Sequence, residues 1–340
     1  MYSQKRRVIA LTQGKSVPST RFRWQQYQVD LEASGLEVTE AHSYFGAYAP
    51  PNKVIRAGWL ACSLAENVLR VQRANKYDLR FLQRNLTATL TTMEPWLKAP
   101  FVFDVDDAIF LGPRGASADR IARASSLIIC GNDFLADHFS QYGNVKVLPT
   151  AVDAVRFAPC TSRSQDFQVI GWSGSSSGLK YLYRIEKSIL KLLQKFPAAI
   201  LKIICDRPPE FKLLPAKRVI YEPWAADTEV SALQSFSIGI MPLEDDLWAK
   251  GKCSFKMLTY MSVGIPVVVS PVGMNLEVLS QAHCGFGPRN DHEWIEAISS
   301  LLESSELSKN MGEAGRSLIE ARYAKNIIGL QLSEILKSQI

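Results

Sequence analysis

The stretch KGKCSFKMLTYMSVGIPVVVSPVGMN, residues 250–275, indicates the fold most directly. A helix-like segment within it is ended by Gly264 and Pro266, because glycine and proline favour the end of a helix. The apolar run 267–269 has the character of a buried strand, and Pro271 then leads into another turn. A helix, a buried strand and a tight turn in this order are typical of one repeat of a parallel α/β sheet.

The same alternation continues along the whole chain. Further buried strands are predicted in RRVIALTQ, FVFDV, SSLIICG, VKVLPT, DFQVIGWSG, AAILKIICD, KRVIYEPW and FSIGIMPL. Helical segments are predicted over 21–34, 54–75, 179–196 and 324–337. Strands that alternate with helices predict an α/β protein with a parallel sheet covered by helices on both faces.

The chain has 340 residues, which exceeds what one hydrophobic core usually serves. We therefore predict an N-terminal domain over 1–158, a C-terminal domain over 159–322 and a last helix over 323–340. The segment 147–166 contains two prolines and has a polar end, so we predict that it links the two domains.

The composition excludes several classes of protein. The chain is 47% apolar and 21% charged, which is typical of a folded protein. No window approaches the roughly 18 apolar residues of a membrane span, and the first apolar run is shorter than that of a signal peptide. The six cysteines form no C-x-x-C pair and the four histidines show no metal-ligand spacing. We therefore expect a cytoplasmic protein with reduced thiols, no metal and no cofactor.

Positive charge is concentrated between residues 53 and 84, where seven basic residues face two acidic ones. A local excess of this kind favours an anionic partner, such as a membrane surface, a nucleic acid or a phosphorylated acceptor. A solvated helix face explains the same pattern equally well. Nucleic acid is the least favoured partner, because no element that reads bases accompanies the charge. The basic residues are Lys53, Arg56, Arg70, Arg73, Lys76, Arg80 and Arg84.

Two segments of the second half are predicted to bind phosphate. In VIGWSGSSSGLKYL, residues 169–182, a strand enters a loop of small residues whose amides can face an anion, and Lys180 follows in the first helical turn. The alternative for this segment is a flexible loop. In the stretch 250–275, Lys252 and Lys256 lie close to a helix start, and a second helix starts after the next strand. Two helix starts and two lysines together suit a diphosphate.

The first strand ends in Gln13-Gly14-Lys15, where a glycine lets the backbone approach a ligand. A single glycine does not support a dinucleotide-binding fold. Arg21 and Arg23 follow on different faces of a helix, so we expect at least one of them to reach the ligand.

The run FVFDVDDAIF places three carboxylates, Asp104, Asp106 and Asp107, at the end of a strand. Clustered carboxylates repel one another and need a metal, an arginine, a hydrogen-bond donor or a sugar hydroxyl nearby. A phosphatase of the haloacid dehalogenase type is disfavoured, because its D-x-D motif normally opens the domain and Ala108 occupies the place of its Thr or Val. A helix N-cap and a contact to acceptor hydroxyls both remain open.

Residues 252–275 resemble the donor-site signature of family 4 glycosyltransferases, which are retaining, metal-independent enzymes of the GT-B fold. S-T-R-F-R-W-Q-Q-Y, F-D-V-D-D-A-I-F, G-N-D-F-L-A, L-P-T-A-V-D and V-I-G-W-S-G are similar to motifs of one bacterial branch, and the ordered set covers about residues 5–290. The resemblance implies two Rossmann-like domains that face each other across a cleft. It places the nucleotide sugar mainly on the C-terminal domain and the acceptor on the N-terminal one, and it implies that the last helix crosses back to the first domain.

The resemblance also implies roles for individual residues. The donor is expected to contact Gly14, Gly171, Trp172, Ser173, Gly174, Lys252, Ser254, Thr259, Gly273, Met274 and Asn275. Catalysis is expected from Lys180 and Lys256 on the diphosphate and from Asp106 and Asp107. The acceptor is expected to contact Arg21, Arg23, Arg84 and Asp104.

Two positions depart from the family pattern. The family commonly has an arginine where this chain has Trp172 and a glutamate where it has Thr259. The predicted function is a glycosyltransferase that retains the anomeric configuration and acts on a glycan or lipid-linked acceptor, in surface polysaccharide or glycolipid synthesis and against the inner membrane face. A sugar-nucleotide binder without activity and a nucleotide-sugar epimerase of the same fold remain as alternatives.

Overall fold

The computed structural model describes residues 6–14, 17–112, 114–160 and 168–340. Within these ranges the chain divides into two compact units. Unit 1 contains residues up to 151, the short segment Lys250–Cys253 and the C-terminal segment Lys325–Ile340. Unit 2 contains Val152–Ala249 and Ser254–Ala324. The change of unit at residues 151–152 precedes the predicted boundary at 158–159, and residues 161–166 of the predicted linker lie outside the described residues.

Unit 1 is built on a parallel six-stranded sheet in the order β2-β1-β3-β4-β5-β6. Three of its six strands are buried along their whole length, as expected where helices cover both faces of a parallel sheet. Its elements up to residue 151 are β1 (Arg6–Thr12), α1 (Pro18–Arg23), α2 (Gln28–Ala33), β2 (Leu36–His42), α3 (Lys53–Ala74), β3 (Leu79–Gln83), β4 (Phe101–Val105), α4 (Ala116–Ala124), β5 (Leu127–Cys130), α5 (Asp133–Phe139) and β6 (Val145–Val147).

Unit 2 repeats this architecture with a second parallel sheet, in the order β12-β11-β10-β7-β8-β9. Its elements are β7 (Gln168–Gly174), α6 (Leu179–Arg184), α7 (Glu186–Lys195), β8 (Ala199–Cys205), β9 (Val219–Pro223), α8 (Glu229–Gln234), β10 (Ile238–Met241), α9 (Leu247–Lys250), α10 (Phe255–Ser262), β11 (Val267–Val269), α11 (Met274–Gln281), β12 (Gly285–Phe286), α12 (Asp291–Glu303) and α13 (Ser305–Leu318). The predicted α/β class is therefore confirmed.

The last helix, α14 (Lys325–Lys337), belongs to unit 1. Its residues Ile328, Leu332 and Leu336 are buried in the hydrophobic core of that unit. The Lys337 ammonium donates a hydrogen bond to the carbonyl oxygen of Ser34 at 2.6 Å. The side chains of α14 therefore form part of the hydrophobic core and helical cover of unit 1.

Two predicted helices are interrupted. The segment predicted over 21–34 is divided between α1 and α2, because Trp24 adopts φ −134° and ψ −62°, outside the helical region. The segment predicted over 179–196 is divided at Ile185 into α6 and α7. In both cases the apolar period continues across the break, so periodicity alone does not reveal it.

Each sheet has one switch point, where the next strand in sequence is added on the opposite side of the unit's first strand. In unit 1 the chain runs from β1 to β2 on one side and resumes with β3 on the other side of β1. In unit 2 it runs from β7 to β9 on one side and resumes with β10 on the other side of β7. Open parallel sheets bind ligands beyond the carboxyl ends of their strands at such switch points.

Candidate active site

In unit 2 the switch point lies beyond Gly174, at the end of β7, and Met241, at the end of β10. The residues after Gly174 form a loop of serines and glycine that leads into α6. We call residues 174–178 the glycine–serine loop. The strand positions before it, Gly171 and Trp172, are buried within the sheet. A Cβ at Gly171 would collide with the Phe236 ring, so this glycine serves packing rather than the loop.

Lys256, in the first turn of α10, lies against the glycine–serine loop. Its ammonium group lies 4.6 Å from the centre of the Trp172 ring, a cation–π distance. A Cβ at Gly174 would collide with this ammonium, and a Cβ at Gly178 would lie 3.4 Å from it. Both glycines therefore make room for the lysine, which places one positive charge at the end of the switch strand.

The loop is held by hydrogen bonds from neighbouring elements. The Ser173 amide donates to the Tyr260 hydroxyl at 2.8 Å, from the same helix as Lys256. The amide and the hydroxyl of Ser176 donate to Asp206, at the end of β8, at 2.6 and 2.9 Å. Burial acts to raise the pKa of Asp206, but the hydrogen bonds from Ser176 outweigh it and lower this pKa below its ordinary value.

The other predicted catalytic lysine is placed differently. Lys180 is exposed in the first turn of α6, and its ammonium lies 4.7 Å from the centre of the Tyr181 ring. Lys256 and Lys180 thus rest on different aromatic rings, and only Lys256 closely approaches Gly174.

Gly273, Met274 and Asn275 form the start of α11. Gly273 has φ +52°, which favours glycine. The amides of Gly273 and Met274 open the helix and have no carbonyl of that helix to bind. The Asn275 side chain donates to the Ser270 carbonyl at 3.0 Å and its amide to the Val272 carbonyl at 3.2 Å, so Asn275 holds the turn.

Two predicted donor contacts in α10 are buried. The Thr259 hydroxyl donates to the Lys256 carbonyl at 2.8 Å, within its own helix. Ser254, the residue before α10, is buried with φ +50°. Both residues are therefore buried within the chain.

In unit 1 the switch point lies beyond β1 and β3. Gly14 follows β1 with φ +138°, a conformation that side chains rarely adopt. The Gln13 side chain donates to the Asn85 carbonyl at 3.3 Å and so joins the ends of the two strands. Arg84, directly after β3, has φ +53° and its amide donates to the Asp104 carbonyl at 2.9 Å.

The Arg84 guanidinium bridges the two carboxylates that follow β4. It forms an ion pair with Asp106 through Nε and with Asp107 through a terminal nitrogen at 2.8 Å. Burial alone lowers the pKa of Arg84, but the two carboxylates raise it well above its ordinary value. Arg84 therefore stays charged. Its positive charge offsets the repulsion between the neighbouring carboxylates of Asp106 and Asp107.

Lys252 belongs to the same unit as this cluster and acts on one of its carboxylates. Burial raises the pKa of Asp107, and the positive charges of Arg84 and Lys252 oppose that shift. The segment that carries Lys252 is held by the Asn132 side chain, which donates to the carbonyls of Lys250 and Lys252 at 3.1 and 3.0 Å. The Cys253 thiol donates to the Asp106 carbonyl at 3.1 Å.

Two residues predicted to contact the acceptor are instead buried against each other. Arg23 donates to both carboxylate oxygens of Asp104 at 2.5–3.2 Å and to the Leu148 carbonyl at 2.7 Å. Burial alone lowers the pKa of Arg23, and Asp104 outweighs it so that the pKa lies above its ordinary value. Arg21 stacks its guanidinium 4.5 Å from the centre of the Phe22 ring. Arg23 and Asp104 thus form a structural ion pair.

The basic stretch is also partly internal. Arg70 is buried and donates to the carbonyls of Thr12 and Ala41, and burial lowers its pKa to about 10. Arg80 donates to the carbonyls of Asn75 and Pro100. With Arg84 in the carboxylate cluster, four basic residues of the stretch remain exposed: Lys53, Arg56, Arg73 and Lys76.

Sequence reasoning missed three residues that shape these sites. Asp206 ends the predicted strand AAILKIICD, a position that favours site residues in a parallel sheet. Asn132 precedes α5 and accepts a hydrogen bond from the Leu135 amide, as its N-cap position predicts. Tyr260 lies within an apolar helix and gives no comparable signal. Within the described residues, no group of three or more His, Cys, Asp or Glu is placed to hold a metal ion.

Residues 167–304 match the family model described as Glycosyl transferases group 1. Apart from residues 250–253, the match lies in the part of the chain that forms unit 2. No curated protein matches the sequence.

Solved structures resemble the chain over nearly its whole length. Sucrose-phosphate synthase from Thermosynechococcus elongatus is 14% identical with a TM-score of 0.73, over 98% of this chain and 99% of that one. HepE from Anabaena, in complex with UDP and glucose, is 17% identical with a TM-score of 0.72, over 98% and 100%. WaaG, a glycosyltransferase involved in lipopolysaccharide biosynthesis, is 14% identical with a TM-score of 0.70, over 96% and 99%. At these identities the likeness shows the fold, which is the predicted two-domain GT-B fold.

Proposed function

We propose that the protein transfers a sugar from a nucleoside diphosphate sugar to an acceptor hydroxyl and that unit 2 holds the donor diphosphate. One observation carries the proposal: Lys256 is held by Trp172 directly against the glycine–serine loop at the switch point. The group 1 glycosyltransferase match over the same residues supports the reaction class.

The chemistry follows from where charge develops. As the bond between the anomeric carbon and the diphosphate breaks, negative charge accumulates on the leaving phosphate oxygens. Lys256 and the opening amides of α11 present fixed positive charge to those oxygens. Because the negative charge is larger in the transition state than in the bound donor, these groups stabilise the transition state more and lower the barrier. Lys180, in the first turn of α6, is assigned to the outer face of the same diphosphate. In the retaining mechanism that we assign, the acceptor attacks on the leaving-group side, and the leaving phosphate takes the acceptor's proton.

Unit 1 is assigned to the acceptor and the transferred sugar. Arg84, Asp106 and Asp107 present charged groups at its switch point, and carboxylates accept hydrogen bonds from sugar hydroxyls. Gly14 lets the backbone after β1 approach the sugar. Arg23 and Asp104 are not assigned to the ligand, because they form a buried ion pair with each other.

We further propose that the acceptor is a glycan or lipid-linked glycan of surface polysaccharide synthesis, at the inner membrane face. Support comes from the exposed cations of α3, which attract anionic headgroups. Within the described ranges, no helix is long and apolar enough to cross a membrane. Binding to phosphatidylglycerol vesicles that weakens with salt is expected, and binding that is indifferent to salt and to anionic lipid would contradict this part.

The donor assignment is tested with purified protein and UDP-glucose, GDP-mannose and ADP-glucose. HepE has been solved with UDP-glucose, so this donor is the first to test. We expect one nucleotide to raise the melting temperature and its sugar to yield free nucleoside diphosphate with an acceptor present. Lys256→Met should abolish both effects, whereas Lys191→Met, at an exposed lysine of α7, should leave them unchanged.

The alternatives predict other results in the same assay. A binder without activity would be stabilised by a nucleotide but release none of it from the sugar donor. An epimerase would convert the donor alone into an isomeric nucleotide sugar. A stabilising nucleotide whose effect survives Lys256→Met would contradict the proposed diphosphate site itself.

A further inference from the structure

Unit 2 contains a cavity that the proposed reaction does not use. It lies beyond the carboxyl ends of β10 and β11 and against the start of α12, and it has a volume of about 330 Å³. A cavity of this size is at the lower end of the range of small-molecule sites. Of the described residues that line it, none belongs to the glycine–serine loop, and Lys256 is not among them. The cavity is therefore distinct from the place assigned to the donor diphosphate.

Buried apolar and aromatic side chains form the inner wall of this cavity. Tyr181 and Ile185 contribute from α6, Val272 from the turn after β11 and Trp294 from α12, and all four are buried. Rigid surfaces of this kind pack against the C–H groups of a ligand rather than against its polar groups. Three prolines, which have no amide to donate, also line the cavity: Pro242, Pro271 and Pro288.

The exposed part of the lining carries both signs of charge. Arg184 and Arg289 are exposed, and so are Asp245 and Asp291. Arg184 also forms an ion pair with Glu244, so its positive charge is already balanced within the chain. A lining without excess positive charge does not favour phosphate or another strongly anionic ligand, and the two guanidinium groups do not favour a cation.

The polar side chains of the lining include both donors and acceptors of hydrogen bonds. The guanidinium of Arg289 only donates, the carboxylate of Asp291 only accepts, and the hydroxyl of Tyr181 does both. Asp291 is oriented by the Ser188 hydroxyl, which donates to one of its two oxygens at 3.0 Å. The ligand that suits this lining is therefore uncharged, carries several hydroxyl groups and has C–H faces.

We propose that this cavity binds a neutral sugar ring, at a carbohydrate site separate from the assigned donor and acceptor sites. Its hydroxyls match the charged side chains at the exposed part of the lining, and its C–H faces match the inner wall. The inference rests on the proposed function and deepens it, because a second carbohydrate site would retain a glycan acceptor between transfers.

The cavity shares a wall with the turn that opens α11. The Ser270 hydroxyl donates to the Leu243 carbonyl at 3.1 Å and accepts from the Leu243 amide at 2.9 Å, which joins the loops after β10 and β11. The same turn leads into Gly273, where α11 begins. A sugar in the cavity would therefore contact the loops that carry this helix start.

Saturation-transfer NMR on the full chain tests the proposal with the methyl glycosides of glucose, galactose, mannose and N-acetylglucosamine. We expect saturation transfer to at least one of them. UDP, GDP and ADP should not displace it, because nucleotides are assigned to a different place. Transfer to none of the glycosides would overturn the proposal. Displacement by a nucleotide would put the sugar in the diphosphate site and would overturn it as well.

Two matched pairs of variants locate the bound sugar. Leu243→Trp fills the cavity from a half-buried lining position and should abolish saturation transfer, whereas Leu190→Trp, at a half-buried leucine of α7 outside the cavity, should keep it. Asp291→Ala removes a charged acceptor and should weaken the affinity about tenfold, whereas Asp227→Ala, at an exposed aspartate before α8, should not change it.

Melting temperatures verify that the four variants fold, and the Asp291 pair decides the matter if Leu243→Trp does not. Equal effects within either pair of folded variants would overturn the proposal. The assay uses no sugar donor and measures no turnover, so its failure is distinct from failure of the proposed transferase reaction.

Discussion

The ammonium group of Lys256 lies 4.6 Å from the centre of the Trp172 ring. Trp172 is buried in β7, so the ring is fixed by the sheet and the lysine is fixed by the ring. The positive charge is therefore in place before any ligand binds, which reduces the reorganisation that binding requires. Trp172, which departs from the pattern that the sequence resembles, therefore acts on the proposed diphosphate site through Lys256.

A methyl group at Gly174 should disturb this arrangement. Gly174→Ala places a Cβ where the Lys256 ammonium lies, so the lysine must move away from the loop. We expect the affinity for the cognate nucleoside diphosphate to fall about tenfold, which corresponds to about 1.4 kcal/mol. Isothermal titration calorimetry measures the change. Gly143→Ala is the matched control, because nothing lies within 4 Å of its added Cβ, and equal losses in both variants would contradict the site.

The buried ion pair of unit 1 should be essential for stability. Arg23→Ala leaves the Asp104 carboxylate buried without its partner, and removal of one member of such a pair costs about 3–5 kcal/mol. Urea denaturation followed by fluorescence measures the loss. Arg7→Ala removes an exposed pair with Asp78, for which we expect about 1 kcal/mol or less. A loss at Arg23 no larger than that at Arg7 would contradict the structural role.

Asp206 should order the glycine–serine loop as a carboxylate. The pKa of Asp206 is lowered in the folded protein. Its contribution to stability is therefore complete above the ordinary carboxyl pKa of about 3.9, and it is lost as the pH falls through the pKa of the folded state. The loop should therefore show no pH dependence from this residue near neutrality. Asp206→Asn should increase hydrogen exchange at the Ser176 amide at pH 7, whereas Asp227→Asn, on an exposed residue, should not. Unchanged exchange in Asp206→Asn would exclude this role.

Asn132 should position Lys252 near Asp107, in the cluster proposed to bind the acceptor. Asn132→Ala removes the two donors that hold the carbonyls of Lys250 and Lys252, so we expect a lower kcat with little change in nucleotide affinity. Asn290→Ala is the control, because Asn290 also caps a helix but has no contact with this segment. Each variant loses about 1 kcal/mol of cap stability. Equal kcat values in the two variants would show that Asn132 serves only as a cap.

Much of the fold could be predicted because it depends on local pattern. Apolar runs predicted nine of the strands described here but not β2, β3 or β12, and Gly264 and Pro266 marked the end of α10. The breaks at Trp24 and Ile185 could not be predicted, because the apolar period continues across them. Helix and strand patterns record which residues are buried, but not where the backbone departs from regular geometry.

The candidate sites were less predictable, because their pairings join distant parts of the chain. Arg23 and Asp104 are 81 positions apart, and each alone reads as a polar residue available to a ligand. The division of Lys252 from Lys256 also depends on tertiary contacts, although only three residues separate them. The predicted roles of Lys256 and the glycine–serine loop rest on local sequence and remain proposals for experiment.

Unit 1 is assembled from three stretches of chain, the last of which is α14. During synthesis α14 emerges after every residue of unit 2, so the second unit can complete its core while the first still lacks Ile328, Leu332 and Leu336. Unit 1 therefore cannot complete its core before all of unit 2 has been synthesised. Until α14 arrives, the apolar surface that it covers is open to chaperones and to wrong partners.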